Sequence, residues 1–282
     1  LTDTSLRERM QELFSTDAAA ADVGSTLADL PRIRSRLSRR NEGFDSWYSA
    51  VDTYASQLRS LSSVETILGD DYADFTQIVE EARTSALSLD CTSGKRRTST
   101  ELSVAPDLAR WLNGSSSRRI FNHEARGHMA SDLARYLYAS AYGKVRNVSP
   151  KAADFPAELA PDHKNWKSGK FADRFRVQVD DRPATTVTSH ISKDGHYFIH
   201  PDPGQCRSLT VREAARLQTF PDDYIFFGNR TQQYVQVGNA VPPYLARRIA
   251  QTLDSVLALW RSGPTRTQNK RTSGVESNLE PQ

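Results

Sequence analysis

The sequence predicts an α/β fold, and three stretches of its 282 residues carry that prediction. A helix with clear start and stop signals lies at 210–220. A short β-prone run at 234–237 is followed by a glycine turn and another helix. Strand-type patterns begin at residue 171, so helices and strands are mixed along the chain.

The amino-terminal third is predicted to be helical. Residues 1–14 have apolar side chains at helical spacing, and 43–89 repeat apolar side chains every three or four positions, beginning with Phe44 and Trp47. We interpret this aromatic stripe as helix packing in a core rather than as a ligand site. The arginine-rich residues 32–40 are either a solvated basic turn or a phosphate-contacting one.

The middle of the chain combines a loop with a long predicted helix. Residues 92–107 are small, polar and basic, which favours a loop. A helix is predicted from Asn122, a good N-cap, to Gly143, a common helix stop, and its basic residues are either a nucleic-acid-facing surface or a solvated face. His123 and His128 lie five positions apart rather than the four of the zinc-protease motif, or roughly 140° around a helix, so no metal site is predicted.

Strands are predicted between the long helix and the capped one. Phe175, Val177 and Val179 alternate with polar residues, which is typical of a half-buried strand. Two further β-prone runs flank Asp194-Gly195, a tight-turn dipeptide. The residues 184–200 are therefore predicted to form a hairpin.

The helix at 210–220 has a predicted capping box. The Thr210 side chain caps the amide three residues on, and Glu213 reaches back to the amide of Thr210. Phe220 precedes Pro221 and so leaves the helical region, which ends the helix there.

The run 234–237 is predicted to be a strand. It turns at Gly238-Asn239 and passes through Pro242-Pro243 near the start of a new helix, where proline costs little. A strand, a glycine turn and a helix start form the layout of many ligand sites in α/β proteins, because free amides at the turn face the ligand.

Composition limits the classes of protein to which this chain can belong. The net charge of +3 is a mild basic excess, compatible with nucleic acid but not demanding it. Two cysteines, Cys91 and Cys206, have no metal-ligand spacing and make no disulfide framework, which favours a reducing compartment. The sequence has no run of eighteen apolar residues and no signal-peptide pattern. A cytoplasmic protein is predicted, with no membrane association.

Two motifs in this chain resemble the last two shared motifs of DNA cytosine-5 methyltransferases. The family's R…E-A-x-R-x-Q-x-F-P-D helix is matched by Arg207, Glu213, Ala214, Arg216, Gln218, Phe220, Pro221 and Asp222. Its closing Q-x-G-N-[SA]-V-P-P segment is matched by Gln236, Gly238, Asn239, Ala240, Val241, Pro242 and Pro243. The two matches occur in the family's order, a dozen residues apart.

The resemblance implies a fold, a cofactor and a chemistry. The expected architecture is a mixed α+β target-recognition domain, followed by the strand and helix that complete a Rossmann-like methyltransferase domain. In that family a cysteine thiolate adds to cytosine C6, and S-adenosyl-L-methionine methylates C5 of a base flipped out of duplex DNA. Asn239, Ala240 and Val241 match positions that line the cofactor pocket, although Asn239 has the alternative of only supporting its turn.

The family's other half is missing from this sequence. Its thiolate lies in a Pro-Cys-Gln loop, which neither Cys91 nor Cys206 matches, and no F-x-G-x-G cofactor loop, Glu-Asn-Val segment or Q-x-R-x-R strand occurs. No catalytic residue is therefore predicted, and the isolated chain is expected to be inactive. The chain begins with Leu1 rather than methionine, which favours a fragment, and a subunit of a split enzyme is the other possibility.

DNA contacts are expected from the family's recognition region. A phrase resembling D-x-P-A-x-T-[IV]-T-x-H includes residues suited to base edges or phosphates, and the predicted DNA-binding residues are Arg182, Thr186, Thr188, His190 and Lys193. Ordinary strand propensity explains the threonines equally well. Arg207, Glu213 and Arg216 are predicted to be structural, as a salt-bridged helix that braces the recognition domain.

The predicted organisation has four parts. They are a helical segment at 1–90, a target-recognition region at 91–206, the closing motifs at 207–260 and a disordered tail at 261–282. The expected function is DNA target recognition, together with part of the S-adenosyl-L-methionine pocket, for a prokaryotic-type cytosine-5 methyltransferase, with double-stranded DNA and the catalytic half as partners. The sequence leaves open whether that enzyme belongs to a restriction–modification system. The alternatives are a stand-alone DNA-binding module and a degenerate pseudo-enzyme.

Overall fold

Helices and loops make up most of what the computed structural model describes, namely residues 7–8, 11, 20–38, 43–99, 101–114, 118–161, 166 and 174–261. The helices are α1 (Val23–Leu27), α2 (Phe44–Leu58), α3 (Ser62–Leu68), α4 (Tyr72–Ala86), α5 (Pro106–Asn113), α6 (Ala130–Arg146), α7 (Val211–Leu217), α8 (Arg230–Asn239) and α9 (Pro243–Arg261). A parallel pair of two-residue strands joins β1 (Arg36–Leu37) to β2 (Gly127–His128). Mixed helices and few strands are consistent with a methyltransferase-like α/β fold.

The chain divides into two compact units. The larger spans Ala18–Ala246, and the smaller combines Leu1–Asp17 with Arg247–Gln282. The domain boundaries predicted after residues 90, 206 and 260 stay predictions. The tail after residue 261 and most of the predicted helix 1–14 lie outside the described residues.

The helical prediction for 43–89 is confirmed, but the predicted helix 122–143 is wrong at both ends. Asn122 has a left-handed φ of 61° instead of an N-cap conformation. Helix α6 starts only at Ala130, passes through Gly143 and ends at Arg146, where Asn147 takes the left-handed C-cap conformation. The central residues of α6 are buried in the core, whereas the basic residues Lys144 and Arg146 at its end are exposed, so the choice between a solvated and a nucleic-acid-facing basic surface stays open.

The hairpin predicted over 184–200 is not present. A short 3-10 helix, Ser189–Ser192, interrupts the segment, and Ile199 forms isolated bridges with Val177 and with Ser208 instead. β-branched residues raise strand propensity, but they form a ladder only where a partner strand lies alongside. Around residues 185–188 the partner is a side chain, because Gln178 bonds the Thr185 backbone amide at 3.0 Å.

Two hydrophobic clusters form the core of the larger unit. The helical cluster packs α2, α4 and α6 through Trp47, Phe75 and Tyr138, which are fully buried. The α7 cluster surrounds the capped helix with apolar residues from distant segments, among them Leu27 and Tyr234. Burial of this apolar surface is the main favourable term for both clusters.

Hydrogen-bonded histidines lie between these clusters. The Tyr136 hydroxyl lies 2.7 Å from Nδ1 of His196 and 3.2 Å from Nδ1 of His128. The Ser208 amide donates to Nε2 of His128, so the His128 proton is on Nδ1. This series of hydrogen bonds joins α6 of the helical cluster to the segment that leads into α7.

His123 extends the buried polar network to the capping box of α7. Its Nε2 donates to the Pro31 carbonyl at 2.8 Å, and its Nδ1 lies 3.0 Å from the Thr210 hydroxyl. The predicted capping box is present, since Thr210 Oγ1 accepts from the Glu213 amide and Glu213 accepts from the Thr210 amide. Burial lowers the pKa of His123 to about 4, so the ring is neutral at pH 7.

Buried ion pairs fix the orientation of α7. Arg207 donates to both carboxylate oxygens of Glu213, at 2.6 and 2.7 Å. Arg216 binds Asp222 at 2.8 and 2.5 Å and also bonds Asp29, which belongs to the residues after α1. Each of these five side chains is at most 3% exposed. Burial alone would raise the pKa of Glu213, but the Arg207 guanidinium holds it well below its usual range.

Replacing Arg216 should destabilise the fold strongly. The change Arg216→Met removes the guanidinium that binds both Asp29 and Asp222 and leaves these buried carboxylates with the longer contacts of Arg97 and Arg212, at 3.8 to 4.0 Å. Removing one partner of a buried pair costs about 3–5 kcal/mol. The measurement is the urea midpoint of unfolding. The control Arg110→Ala removes an exposed i,i+3 pair and should leave the midpoint nearly unchanged. Equal midpoints for the two variants would contradict the bracing role.

Acid should weaken the fold through His123. Its pKa falls from 6.5 in the unfolded chain to about 4 on folding, so its contribution is complete above pH 6.5 and is lost as the pH falls toward 4. The difference corresponds to roughly 3 kcal/mol. Unfolding free energies measured from pH 7.5 to 4 should therefore fall less in His123→Asn than in the unsubstituted chain. His190→Asn, a change at an exposed ring, is the control, and parallel curves for all three proteins would refute the assignment.

Candidate DNA-binding groove and cofactor-facing segment

A surface groove contains three of the five residues predicted to bind DNA. It encloses about 290 Å³ and is lined by Arg176, Thr185, Thr186, Thr188, His190, Tyr197 and Phe198. The Thr186, Thr188 and His190 side chains are exposed, whereas Val187 between the threonines is buried in the α7 cluster. The His190 ring stands edge-on to Tyr197, with the ring centroids 5.1 Å apart. Among the lining groups, hydroxyls and an imidazole can donate to or accept from base edges, and a guanidinium can donate to them.

The other two predicted DNA-binding residues lie outside this groove. Arg182 is exposed, and its Nε donates to the side chain of Asn147 at 2.9 Å. Lys193 is also exposed, and its carbonyl accepts from Arg126 at 3.2 Å. Arg126 also bonds the Ile191 carbonyl and lies over the Tyr234 ring, so it fixes the backbone next to the groove.

Helix α8 touches the back of this groove, backbone to backbone. A Cβ added at Gly238 would lie 2.2 Å from the Ser189 nitrogen and 2.3 Å from the Thr188 carbonyl carbon. No side chain fits at such distances, so the close approach requires glycine at this position. The groove threonines are therefore placed directly by α8.

Gln218 connects the same two segments through hydrogen bonds. Its side-chain amide is buried at the end of α7 and donates to the Val187 carbonyl at 3.1 Å and to the Val237 carbonyl at 3.3 Å. One side chain thus holds both the groove segment and α8. Gln218 was part of the sequence motif, but its role could not be predicted, because it depends on a fold that brings residues 187 and 237 next to its side chain.

The strand predicted at 234–237 is wrong, because these residues belong to α8. Asn229 caps the helix by accepting from the Gln232 amide, and Gln232 returns a bond to the Asn229 amide. Tyr234 and Val237, three positions apart, are both buried in the α7 cluster, which is helical rather than strand spacing. The last residue of α8 is Asn239, so the closing motif has a helix–helix layout.

The predicted cofactor residues lie where α8 meets α9. The Asn239 side chain is exposed and forms no hydrogen bond with another described residue, and Ala240 is half-buried. Val241 is 65% exposed although apolar. An amide and a methyl-bearing side chain are thus both available at the surface of the larger unit.

Thr219 fixes the start of α9. It adopts a left-handed φ of 61°, unusual for a β-branched residue, and each of its polar groups has a partner. Its amide donates to the Arg216 carbonyl at 2.8 Å, its carbonyl accepts from the Trp111 indole at 2.8 Å, and its hydroxyl accepts from the Tyr244 amide at 3.1 Å. These bonds connect the end of α7 to the first turn of α9.

Neither thiol has the properties of a nucleophile. Burial raises the pKa of the Cys206 thiol, which donates to the Pro203 carbonyl at 3.1 Å. Cys91 is exposed, but its hydrogen bond with Asp90 raises the pKa of that thiol as well. A reactive cysteine requires the opposite shift.

Arg207, Glu213 and Arg216 lie in the buried ion-pair network, away from the groove surface. Arg212 was not singled out from the sequence, yet it is fully buried and donates to the Phe121, Pro221 and Tyr224 carbonyls. Burial lowers its pKa to about 10, which still leaves it charged at pH 7. The residues next to Arg212 in the sequence do not distinguish an arginine that donates to backbone carbonyls from a solvated one.

Among the residues that the structure describes, no group of three or more His, Cys, Asp or Glu side chains is arranged to hold a metal ion. Within the same part of the chain, none of the helices combines the length and the hydropathy that a membrane span requires.

Comparison with known proteins gives consistent matches. The family model for C-5 cytosine-specific DNA methylase matches residues 91–255. Type II methyltransferase M.Bpa9945I of Bacillus paralicheniformis is 50% identical over 136 residues, which cover 48% of this chain and 30% of the relative. Type II methyltransferase M1.HphI of Haemophilus parahaemolyticus is 39% identical over 142 residues, covering 50% of this chain and 33% of the relative.

A vertebrate protein matches more of the chain. DNA (cytosine-5)-methyltransferase 1 of Gallus gallus is 30% identical over 238 residues, which cover 80% of this chain and 14% of the relative. The chain therefore spans a third or less of the length of these curated relatives. The family uses S-adenosyl-L-methionine as its methyl donor. Because the family model matches more than half of the 282 residues, the chain belongs to the C-5 cytosine-specific DNA methylase family.

Proposed function

We propose that this chain supplies DNA target recognition and part of the S-adenosyl-L-methionine pocket for methyl transfer to C5 of cytosine in duplex DNA. The observation that carries the proposal is the double contact of α8. Its Gly238 touches the backbone of the groove segment, and the next residue, Asn239, begins the segment 239–241, in which Asn239 and Val241 are exposed. One helix therefore sets the positions of both candidate surfaces.

The groove suits reading of bases in the major groove. Thr186 and Thr188 present hydroxyls at its surface, and His190 lies beside Tyr197. Arg182 and Lys193, outside the groove, are exposed cations that suit phosphates. The segment forms no strand, and its exposed threonine hydroxyls support a role in base reading.

The residues 239–241 fit one side of the cofactor. The unpaired amide of Asn239 suits the polar end of S-adenosyl-L-methionine, and the exposed Val241 side chain suits its apolar surface. When bound, the cofactor supplies the methyl group. The rest of the pocket comes from the strands of a Rossmann-like domain that α8 and α9 complete.

The nucleophile comes from residues outside this sequence. No Pro-Cys-Gln occurs here, and both thiols have raised pKa values. The chain then acts as a fragment or a subunit of a methyltransferase, inactive alone, with Arg207, Glu213 and Arg216 bracing its recognition region. The names of the type II relatives suggest a restriction–modification system.

Methylation should require a second polypeptide. The chain is mixed with the amino-terminal part of a family member that carries F-x-G-x-G and Pro-Cys-Gln, and transfer of tritiated methyl to duplex DNA is measured. Activity is expected only from the mixture. Replacing the cysteine of Pro-Cys-Gln should abolish it, while Cys91→Ser in this chain should not.

The complementary outcomes separate the alternatives. Methyl transfer by the isolated chain would refute the division of labour. Specific duplex binding that neither the second polypeptide nor the cofactor changes, combined with an inactive mixture, would favour a stand-alone DNA-binding module.

Alanine at Gly238 should disturb DNA binding and stability together. The new Cβ would overlap the backbone of Thr188 and Ser189, and overpacking of this kind costs about 1–3 kcal/mol. The measurements are the unfolding midpoint and the affinity for duplex DNA. Gly43→Ala is the matched control, because a Cβ there meets no atom within 4 Å. A Gly238 variant that behaves like the control would show that the contact does not position the groove.

A further inference from the structure

A second pocket lies at the amino-terminal end of α8. It encloses about 500 Å³ and lies between two paired chain segments and the start of the helix. The segments are held together by bridges between Ser93 and Glu124 and between Arg96 and Arg119. Neither the groove threonines nor the segment 239–241 lines this pocket.

The pocket is positively charged. Lys95, Arg119 and Arg230 line it, with Glu124 as the single carboxylate. Glu124 is shared, since Arg230 binds it at 3.0 Å and Arg36 at 2.8 Å, so this trio retains one positive charge. The Lys95 side chain is exposed and forms no ion pair with another described residue. Arg119 is exposed as well and lies over the Phe121 ring at 5.0 Å.

The positive and negative charges are also unevenly distributed along the sequence, with the excess of positive charge in the region that contains the pocket. Residues 43–90, which contain α2 to α4, carry nine aspartates and glutamates against two arginines. The family-matched residues 91–255 carry 24 lysines and arginines against 16 aspartates and glutamates. The small net charge of the whole chain therefore conceals a strongly acidic helical segment and a basic remainder. A polyanion is attracted to the basic part and repelled by the helical segment.

We propose that this pocket binds the phosphodiester backbone of the duplex whose bases the groove reads, through Lys95 and Arg119, with Arg230 held in place by Glu124. The inference rests on the proposed DNA-binding function and adds a separate anchoring site. Backbone phosphates fix register and contribute affinity without reading sequence. The same α8 then has phosphate contacts at its first turn and the groove at its last.

The test is the salt dependence of duplex binding by the full chain. The probe is a fluorescent 30-base-pair duplex of mixed sequence, titrated in increasing KCl. Loss of two phosphate contacts in the double variant Lys95→Ala with Arg119→Ala should weaken binding and lower the slope of log affinity against log salt by about 1.8. The control double variant Arg110→Ala with Lys151→Ala also removes two exposed cations, neither of which lines the pocket, and should keep the slope. Unchanged unfolding midpoints verify that both variants are folded.

Groove variants distinguish this inference from the proposed function. Thr186→Ala with Thr188→Ala should reduce affinity at an unchanged slope. If the pocket variant binds with the slope of the unsubstituted chain while the groove variant loses affinity, the pocket assignment is overturned and the proposed function stands. If the unsubstituted chain does not bind duplex DNA at any salt concentration, both are overturned.

A second probe separates backbone phosphate from a free nucleotide. Deoxycytidine triphosphate is titrated as a competitor. Weak, millimolar competition that the pocket variant lacks is expected for a backbone site. Micromolar binding of the nucleotide, abolished in the pocket variant while duplex binding is retained, would assign the pocket to a small phosphorylated ligand and overturn the proposal.

Discussion

Buried charges of opposite sign at the end of α7 stabilise one another, and the position of the remaining segments depends on them. Arg216 binds Asp222 and Asp29, and Arg97 lies 3.8 Å from both carboxylates. Arg212 lies 4.0 Å from Asp222 as well, so three arginines and two aspartates share one buried site, where an isolated ion would be very costly. These residues come from the segment after α1, the loop before α5, and α7 with the residues that follow it. Their pairing fixes where α7 ends.

The residues at the end of α7 in turn fix the positions of the segments that carry the exposed candidate site residues. Gln218 holds the groove segment and α8, and Thr219 holds the first turn of α9. The residues proposed for recognition and for cofactor binding are therefore not on independent loops. They are attached to Gln218 and Thr219, the two residues that follow α7, and Gly238 brings α8 into backbone contact with the groove segment. A displacement of either surface would therefore disturb the contacts of Gln218, Thr219 and Gly238.

Local signals were predicted well, whereas signals that depend on tertiary partners were not. The capping box of α7 needs only Thr210 and Glu213, and the helices at 43–89 follow their own periodicity. Residues 234–237 are β-prone in isolation, but burial of Tyr234 and Val237 on one face of α8 overrides that propensity. In the site, the groove threonines and histidine were found through a motif. Arg176, Tyr197 and the role of Gln218 were missed, because proximity across the fold leaves no trace in spacing.

The hydrogen bonds that connect the two hydrophobic clusters affect how the free-energy changes of separate substitutions add. The clusters are two separate groups of buried apolar side chains, and the hydrogen bonds of Tyr136, His128 and Ser208 connect them. Free-energy changes at well-separated sites usually add, and those within one hydrogen-bond network do not. Core changes in α2 should therefore add to changes around α7, while pairs within the hydrogen-bond network of Tyr136 and His128 should be coupled. Helix α4 is different, because it packs against Pro203–Gln205 and Gln205 accepts from Arg207. Substitutions in the core of α4 can thus affect the motif helix, whereas substitutions in α2 should have little effect on it.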